Sequence, residues 1–225
     1  MCGRYNEHLP KMHGWSNVLT DWPEEVEGRF NAYPTSTVTA FAGENFNTLR
    51  GHAMRWQLVP SWAPEFSVKF PTHNARLETV EERPTFKNAW VRAQRCLIPM
   101  AGFYERQQSG AKQWHYIHDA HTGCLVVAGL YERWHGQNEV RHSCTMITKP
   151  STSVIAQLHH RSPVLLTKKA AQSWLNSDLN DPIGFLSSVD DVPVTAYPIS
   201  SRVGNAKNND AKLIHEEPKI KTLFD

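Results

Sequence analysis

Along this chain, hydrophobic and polar positions alternate over short stretches more often than they recur at helical spacing. Residues 36–41, 51–59, 96–98, 113–119, 124–131, 141–148, 164–166 and 194–199 read as strands, rich in β-branched and aromatic residues and bounded by turn formers. Residues 46–50 read as a weaker strand. Turns at 121–123 and 136–138 would make 113–119, 124–131 and 141–148 three antiparallel neighbours. Helical spacing is clearest at 84–93, where Phe86, Trp90 and Ala93 repeat, and after Thr167, an N-cap for the stripe Ala170, Ala171, Trp174 and Leu175. Shorter helices are expected at 15–19 and at 151–158, the latter capped by Ser151. Residues 29–35 should be extended, because Pro34 disfavours the α region at Tyr33.

No repeat, low-complexity tract or linker divides the 225 residues. Strands outnumber helices and strand–helix–strand alternation is scarce. The expectation is one α+β domain over residues 1–225, a mostly antiparallel, curved or barrel-like sheet flanked by short helices. Its core would span about 2–209, leaving 210–225 as a tail.

Composition changes this picture little. A net charge of +2 is too mild to announce a polyanion partner, although a local basic patch needs no large total. The four cysteines, Cys2, Cys96, Cys124 and Cys144, are widely spaced, without a C-x-x-C pair. Residues 1–15 lack a secretory apolar core, and no run of about 18 apolar residues occurs. These features predict a cytoplasmic protein with reduced thiols and no membrane segment, by default a monomer.

The candidate chemistry starts at the terminus. Trimming of Met1 would give Cys2 a free α-amine beside its thiol. Such a 1,2-aminothiol condenses with an aldehyde to an imine that the sulfur closes to a thiazolidine; alternatively, the thiol attacks an acyl carbon with the amine as base. An ordinary cysteine is the bland alternative. Asn31, in a proline-fixed loop, could orient a neighbour or simply form a turn. Glu105 ends an apolar strand among aromatics, where desolvation would raise its pKa toward neutrality. His159 and His160 follow a helix and could supply an acid/base group. His115, His118 and His121 fall on alternating strand faces and no histidine pairs with a cysteine at zinc spacing, so neither metal nor cofactor is expected. Trp56, Trp62, Arg76, Arg161, Arg202 and Lys207 interleave aromatic and basic side chains, as a single-strand nucleic-acid surface would, or as core and surface residues would. The loop 201–208 suits close approach to a phosphate or to a catalytic loop.

In order, the chain carries Met1-Cys2-Gly3-Arg4, Phe30-Asn31-x-x-Pro34, Trp56-x-x-x-Pro60-Ser61-Trp62, Asn74-Ala75-Arg76-x-Glu78-Thr79, Arg95-Cys96-Leu97-Ile98-Pro99 with Gly102-Phe103-Tyr104-Glu105, His159-x-Arg161-x-Pro163 and Val203-Gly204-Asn205-x-Lys207-Asn208. Together these motifs, spanning residues 2 to about 209, resemble the SOS-response-associated peptidase (SRAP) family of abasic-site processing proteins. The resemblance implies an α+β fold with a bifurcated, partly barrel-like sheet. It also implies binding to single-stranded DNA and a covalent thiazolidine between Cys2 and the ring-opened aldehyde of an abasic site, shielding the lesion. Cys2 would be the nucleophile, Asn31 would position the terminus, and Glu105 and His159 would move protons. Glu105 would also assist self-removal of Met1, a peptidase activity, with abasic-site lyase chemistry as a side activity. Arg4, Asn74, Arg76 and Arg161 would grip the DNA backbone, Trp62 would line its path, and the protein would work beside the nucleoid. Two positions depart from the family pattern: Arg106 stands where Trp is usual and Gln57 where Gly is frequent. Two other readings stay open, an N-terminal-nucleophile amidohydrolase of the glutamine amidotransferase kind and a non-catalytic single-stranded DNA-binding module.

Overall fold

A computed structural model describes residues 2–9, 14–121 and 123–220. Its strands are β1 (Tyr5–Asn6), β2 (Thr37–Ala42), β3 (Arg50–Trp56), β4 (Asn74–Arg76), β5 (Arg95–Met100), β6 (Gly102–Arg106), β7 (Trp114–Asp119), β8 (Leu125–His135), β9 (Val140–Pro150), β10 (Arg161–Pro163) and β11 (Val194–Ile199). The helices are α1 (Pro84–Val91), α2 (Ser153–Ala156), α3 (Lys168–Leu175) and α4 (Pro182–Ser188).

Five strands close on themselves in the order β9-β3-β2-β5-β8-β9. Every pairing in this ring is antiparallel except β3 with β9, which runs parallel through Arg55↔Ser143 and Trp56↔Cys144. The closed ring removes the exposed edges that an open sheet would leave. Strand alternation then sorts the side chains. Val38, Ala40, Met54, Trp56, Cys96, Ile98, Met100, Val127, Cys144 and Met146 form one buried cluster inside the barrel. Phe41, Leu97, Val126, Ala128, Leu130 and Ile147 face outward into a second cluster. There they meet Phe86 and Ala89 of α1, Ala171, Trp174 and Leu175 of α3, and Leu186 of α4.

A second sheet, β1-β6-β7-β11, is antiparallel throughout. Only Ala101 separates β5 from β6, so the chain leaves the barrel and enters the second sheet without a loop. This bifurcation, together with the closed ring, gives the expected α+β architecture. Apart from 46–50 and 164–166, the expected strands are found, as are the two main helices, and Thr167 accepts the Ala170 N–H as a cap at 3.3 Å.

Several local expectations are corrected. Strand β7 does not pair with β8; its partners are β6 and β11, because the connection around residue 121 crosses between sheets. The predicted turn 121–123 includes Thr122, which lies outside the described residues. Residues 15–19 form turns rather than a helix, and 46–48 form a turn held by Asn45 and Thr48 side chains. The stretch 29–35 is not extended throughout: Ser36 N–H meets the Tyr33 carbonyl at 2.9 Å, and Thr35 takes φ 82°. Ser151 does not cap α2 but donates from its hydroxyl to the His159 carbonyl. Residues 164–166 make only an isolated bridge, Val127↔Leu165, and the strand lies just before them in β10. Strands β1 and β4 and helix α4 were not foreseen, being two, three and seven residues long.

Gly129 is the hinge of closure. It pairs with Cys96 on one side and Met146 on the other, and a Cβ there would meet the Cys96 Sγ at 2.8 Å and the Thr145 carbonyl oxygen at 2.9 Å. We therefore expect Gly129→Ala to cost about 1–3 kcal/mol through overpacking, read as a lowered urea midpoint at unchanged slope; a midpoint equal to wild type would refute this packing limit.

Candidate functional site

The terminus is drawn into the molecule by β1. Tyr5 pairs with Phe103 of β6, makes a bridge to Ala32, and sets its ring edge-on to Trp56 with centroids 5.0 Å apart. Cys2 is thereby fully buried, and its Sγ donates to the Arg4 carbonyl at 3.7 Å. The Cys2 carbonyl accepts from Asn74 Nδ2 at 2.7 Å. Strand β4, which carries Asn74, lies parallel on β9 through Asn74↔Met146 and Arg76↔Thr148, so barrel and terminus are joined by one amide.

Among the described residues, no hydrogen bond joins Asn31 to Cys2; the Asn31 amide is engaged elsewhere. Its Nδ2 donates to three carbonyls of the 203–208 loop: Val203 (3.2 Å), Asn205 (3.2 Å) and Asn208 (2.9 Å). Its Oδ1 accepts from Arg4 Nη1 at 3.2 Å, and Arg4 Nη2 donates to the Gly204 carbonyl at 2.8 Å. Arg4 is thus an anchor that ties the terminus to Asn31 and to that loop. The loop turns its carbonyls toward these two side chains.

Burial sets the electrostatics. Glu105 lies on β6 with its side chain inside, and burial pushes its carboxyl up from 4.5 to about 7. The Cys2 thiol is pushed well above its ordinary range, by burial first and then by the charge of Glu105, so the two groups act on one another. Beyond β6 the chain stays close to the His159 turn: Gln108 N–H donates to the Leu158 carbonyl at 3.1 Å, and the Gln108 Oε1 lies 3.1 Å from His160 Nδ1. His159 is pushed down to about 4, by burial first, with the positive charges of His160 and Arg161 adding to it. Its Nδ1 lies 2.9 Å from the Arg161 backbone N and 3.2 Å from the Arg161 carbonyl oxygen, so the Arg161 backbone fixes the place of the ring. At neutral pH the site therefore holds a carboxyl poised to titrate, a neutral imidazole and a protonated thiol.

Arg161 sits inside the protein. Its side chain is 8% exposed, its guanidinium forks onto the Glu78 carboxylate, and Nη2 also donates to the Thr148 carbonyl at 2.6 Å. This side chain fixes the turn carrying His159 rather than presenting a cation to solvent.

Beside Asn74 opens a groove of about 470 Å³ lined by Trp62, Phe70, Asn74, Arg76 and Arg83 among others. Trp62 is 57% and Phe70 50% exposed, unusual for rings of this size. Both sit on supported backbone. Glu132 accepts the Ser61 N–H at 3.2 Å, Trp134 Nε1 donates to the Ala63 carbonyl at 2.8 Å, and Gln57 Nε2 donates to the Phe70 carbonyl at 3.3 Å. Gln57, one of the two departures noted above, is thus a brace for Phe70. Arg106, the other, is exposed and donates from Nε to the Lys112 carbonyl at 2.8 Å. Trp56, in contrast, is core, and Arg202 pairs with Asp210 at 2.8 Å.

Sequence reasoning did not single out Phe70, Arg83 or His73. Phe70 could have been noticed as an aromatic before a proline, the mark of an extended exposed residue. His73, next to Asn74, stands edge-on to Trp56 at 5.7 Å and is pushed down to about 4 by burial; nothing in the local sequence distinguishes it. Met1 lies outside the described residues. Among the described residues, no three His, Cys, Asp or Glu side chains gather as a metal site would require.

The chain is similar to several known proteins. The chain is 33% identical over 227 residues to "Abasic site processing protein YoaM" of Bacillus subtilis, covering 96% of this chain and 99% of that one. It is 29% identical over 184 residues to "Abasic site processing protein HMCES" of Xenopus tropicalis, covering 70% of this chain and 54% of the other. A crystal structure of a Bordetella bronchiseptica protein shares the fold at TM-score 0.77, with 24% identity over 88% of this chain and all of that one. The model of the family described as SOS response associated peptidase (SRAP) matches residues 1–206, and the chain belongs to that family.

Proposed function

We propose that this protein processes abasic sites in single-stranded DNA by forming a covalent thiazolidine through Cys2 once Met1 has been removed. The observation that carries the reading is the Asn74 amide. It holds the Cys2 carbonyl at 2.7 Å while Asn74 itself lines the aromatic–arginine groove, so the reactive residue lies at the edge of a surface suited to unpaired bases and phosphates. The names of the relatives support the choice of lesion.

The chemistry follows from the groups present. The Cys2 amine adds to the aldehyde carbon of the ring-opened sugar. The resulting carbinolamine loses its oxygen as water, with the proton supplied by the Glu105 carboxyl, to give a protonated imine that keeps its N–H. The Cys2 sulfur then adds to that carbon and its proton passes to the Glu105 carboxylate, closing the five-membered ring. One water leaves and Glu105 ends as it began. A carboxyl near 7 performs both transfers at neutral pH, which an ordinary carboxylate near 4.5 would not. His159, neutral at this pH, donates from its ring N–H to a sugar oxygen during ring opening rather than acting as the principal base. Glu105 is also the group suited to assist release of Met1, and lyase chemistry would be a side reaction of the imine. Trp62 and Phe70 stack bases flanking the lesion while Arg76 and Arg83 meet phosphates, which fits a monomer acting beside the nucleoid in the cytoplasm.

Three variants test this. Mature protein mixed with an abasic-site oligonucleotide should give an adduct stable in denaturing gels, absent with intact DNA and absent in Cys2→Ala; an undiminished adduct in that variant would sink the thiazolidine assignment. Glu105→Gln should slow adduct formation by about 10²–10⁴-fold. The same variant has a signature in stability. A carboxyl raised in the folded state binds more protons folded than unfolded, so its contribution is full below 4.5 and is lost as pH rises through about 7. Glu105→Gln should therefore melt above wild type at pH 8 and alongside it at pH 4. Trp62→Ala should weaken binding to intact single strands by about 1–3 kcal/mol without changing the melting temperature; a fluorescence anisotropy titration indistinguishable from wild type would remove Trp62 from the DNA path.

A further inference from the structure

The barrel has two ends, and only one belongs to Cys2. At the other end β3, β5 and β9 begin and β2 and β8 run out, and the inward-facing rows change character there. On β3 the row Trp56, Met54 continues to His52 and Arg50. On β8 it passes from Val127 through Gly129 to Tyr131 and Arg133, and on β9 from Met146 and Cys144 to His142. Positions that the alternation assigns to the interior thus turn basic as they reach the mouth. They surround a cavity of about 370 Å³ whose wall Arg92 and Arg95 complete.

The charge there is balanced only in part, by Asp21, Glu44 and Glu132. Arg95 is 5% exposed, yet its Nη1 donates only to neutral carbonyls, those of Trp174 and Asn176, and its guanidinium lies 4.8 Å over the Trp174 ring. Among the described residues no carboxylate pairs with it, although buried charges are usually paired. Arg92 and Arg133 are exposed and make no side-chain hydrogen bond or ion pair among the described residues. Arg50 is taken by Asp21 at 3.4 Å, and the acidic residue lining the cavity is Glu44. The rings of His52 and His142 lie 5.4 Å apart, and both are held below the usual imidazole range, by burial first and then by positive neighbours that include Arg133.

We propose that this open end of the barrel is a binding site for a phosphate-bearing ligand, separate from the Cys2 site. The cavity is of a size for one or two phosphate groups and a small appendage. Arg95 supplies fixed charge at the floor, Arg92 and Arg133 supply mobile guanidinium forks at the rim, and the two imidazoles supply ring N–H donors. The phosphate could belong to a free nucleotide or diphosphate, or to the backbone of a strand running past the mouth.

The test uses the whole protein and inorganic pyrophosphate, followed through the imidazole NMR signals of His52 and His142. These signals should shift saturably, while those of His73 and His159 stay in place. The double variant R92Q/R133Q should weaken the affinity roughly tenfold, about 1.4 kcal/mol, and Cys2→Ala should leave it unchanged. Adding an intact single-stranded oligonucleotide then separates the sources: displacement of pyrophosphate from the mouth identifies a backbone phosphate, and its retention identifies a free one, either supporting the site. Absence of a saturable shift at His52 and His142, or equal affinity in R92Q/R133Q, would overturn the proposal.

Discussion

The parallel pairing of β3 with β9 is the contact on which the rest depends. Without Arg55↔Ser143 and Trp56↔Cys144 the five strands would be an open sheet, with β3 a bare edge, the facing edge of β9 covered by β4 alone, and the interior cluster exposed along one side. Closure also fixes where the chain goes next. After Trp56 it leaves the barrel, crosses the proline-rich loop and returns as β4 on β9, displaced along β9 toward its C-terminal end. That displacement brings Asn74 under the Cys2 carbonyl. The same loop is pinned by Ser143, whose hydroxyl accepts the Val59 N–H at 2.8 Å, and by Glu132 and Trp134, so the barrel wall holds Trp62 outward. An exposed indole on a rigid loop loses little conformational freedom when something stacks on it.

Desolvation then gives the neighbouring groups their different tasks. Burial disfavours the charged form of each, so it raises Glu105 and lowers His159, moving an acid and a base in opposite directions with no metal needed to explain either shift. The result is an acid that is half protonated near neutrality and an imidazole that stays neutral. Cys2 pays for the same burial by remaining a thiol, which orders the proposed chemistry: amine first, sulfur second, with the sulfur proton taken up by the carboxylate that the first step has just produced. The Arg161–Glu78 fork serves this arrangement indirectly. Its geometry holds the Arg161 backbone against His159 Nδ1, and so fixes where the ring sits.

Much of the fold was legible in the chain because barrel strands advertise themselves by alternation, and the two longer helices by their stripes. What was not legible had physical reasons. Strands of two or three residues, β1 and β4, carry no period, yet they place Cys2 and Asn74. The assignment of β7 to the second sheet depends on a connection whose residues fit a tight turn equally well. Among site residues, Asn31 could be read as an amide that orients something, but whether it held Cys2 or the 203–208 carbonyls is a matter of packing across more than 170 positions. Arg161 read as a surface cation because an arginine beside two histidines gives no sign of the buried threonine carbonyl and distant glutamate that claim it. Trp56 and Trp62, six residues apart in one motif, ended as core and surface respectively; only the break of the strand between them decides which.

The barrel also explains how one small protein keeps two polar regions apart. A closed ring of short strands has a dry middle, here filled by Trp56, Met54, Cys144 and Met146, and polar groups can gather only where the inward rows end. At one end the rows finish against the buried terminus, where low dielectric shifts pKa values and suits covalent chemistry. At the other they finish in arginines and histidines open to water, where charge stays mobile and suits reversible binding of anions. The inward alternation that makes the fold readable therefore also limits where its chemistry can sit, and the change from apolar to basic along β3, β8 and β9 marks the second place.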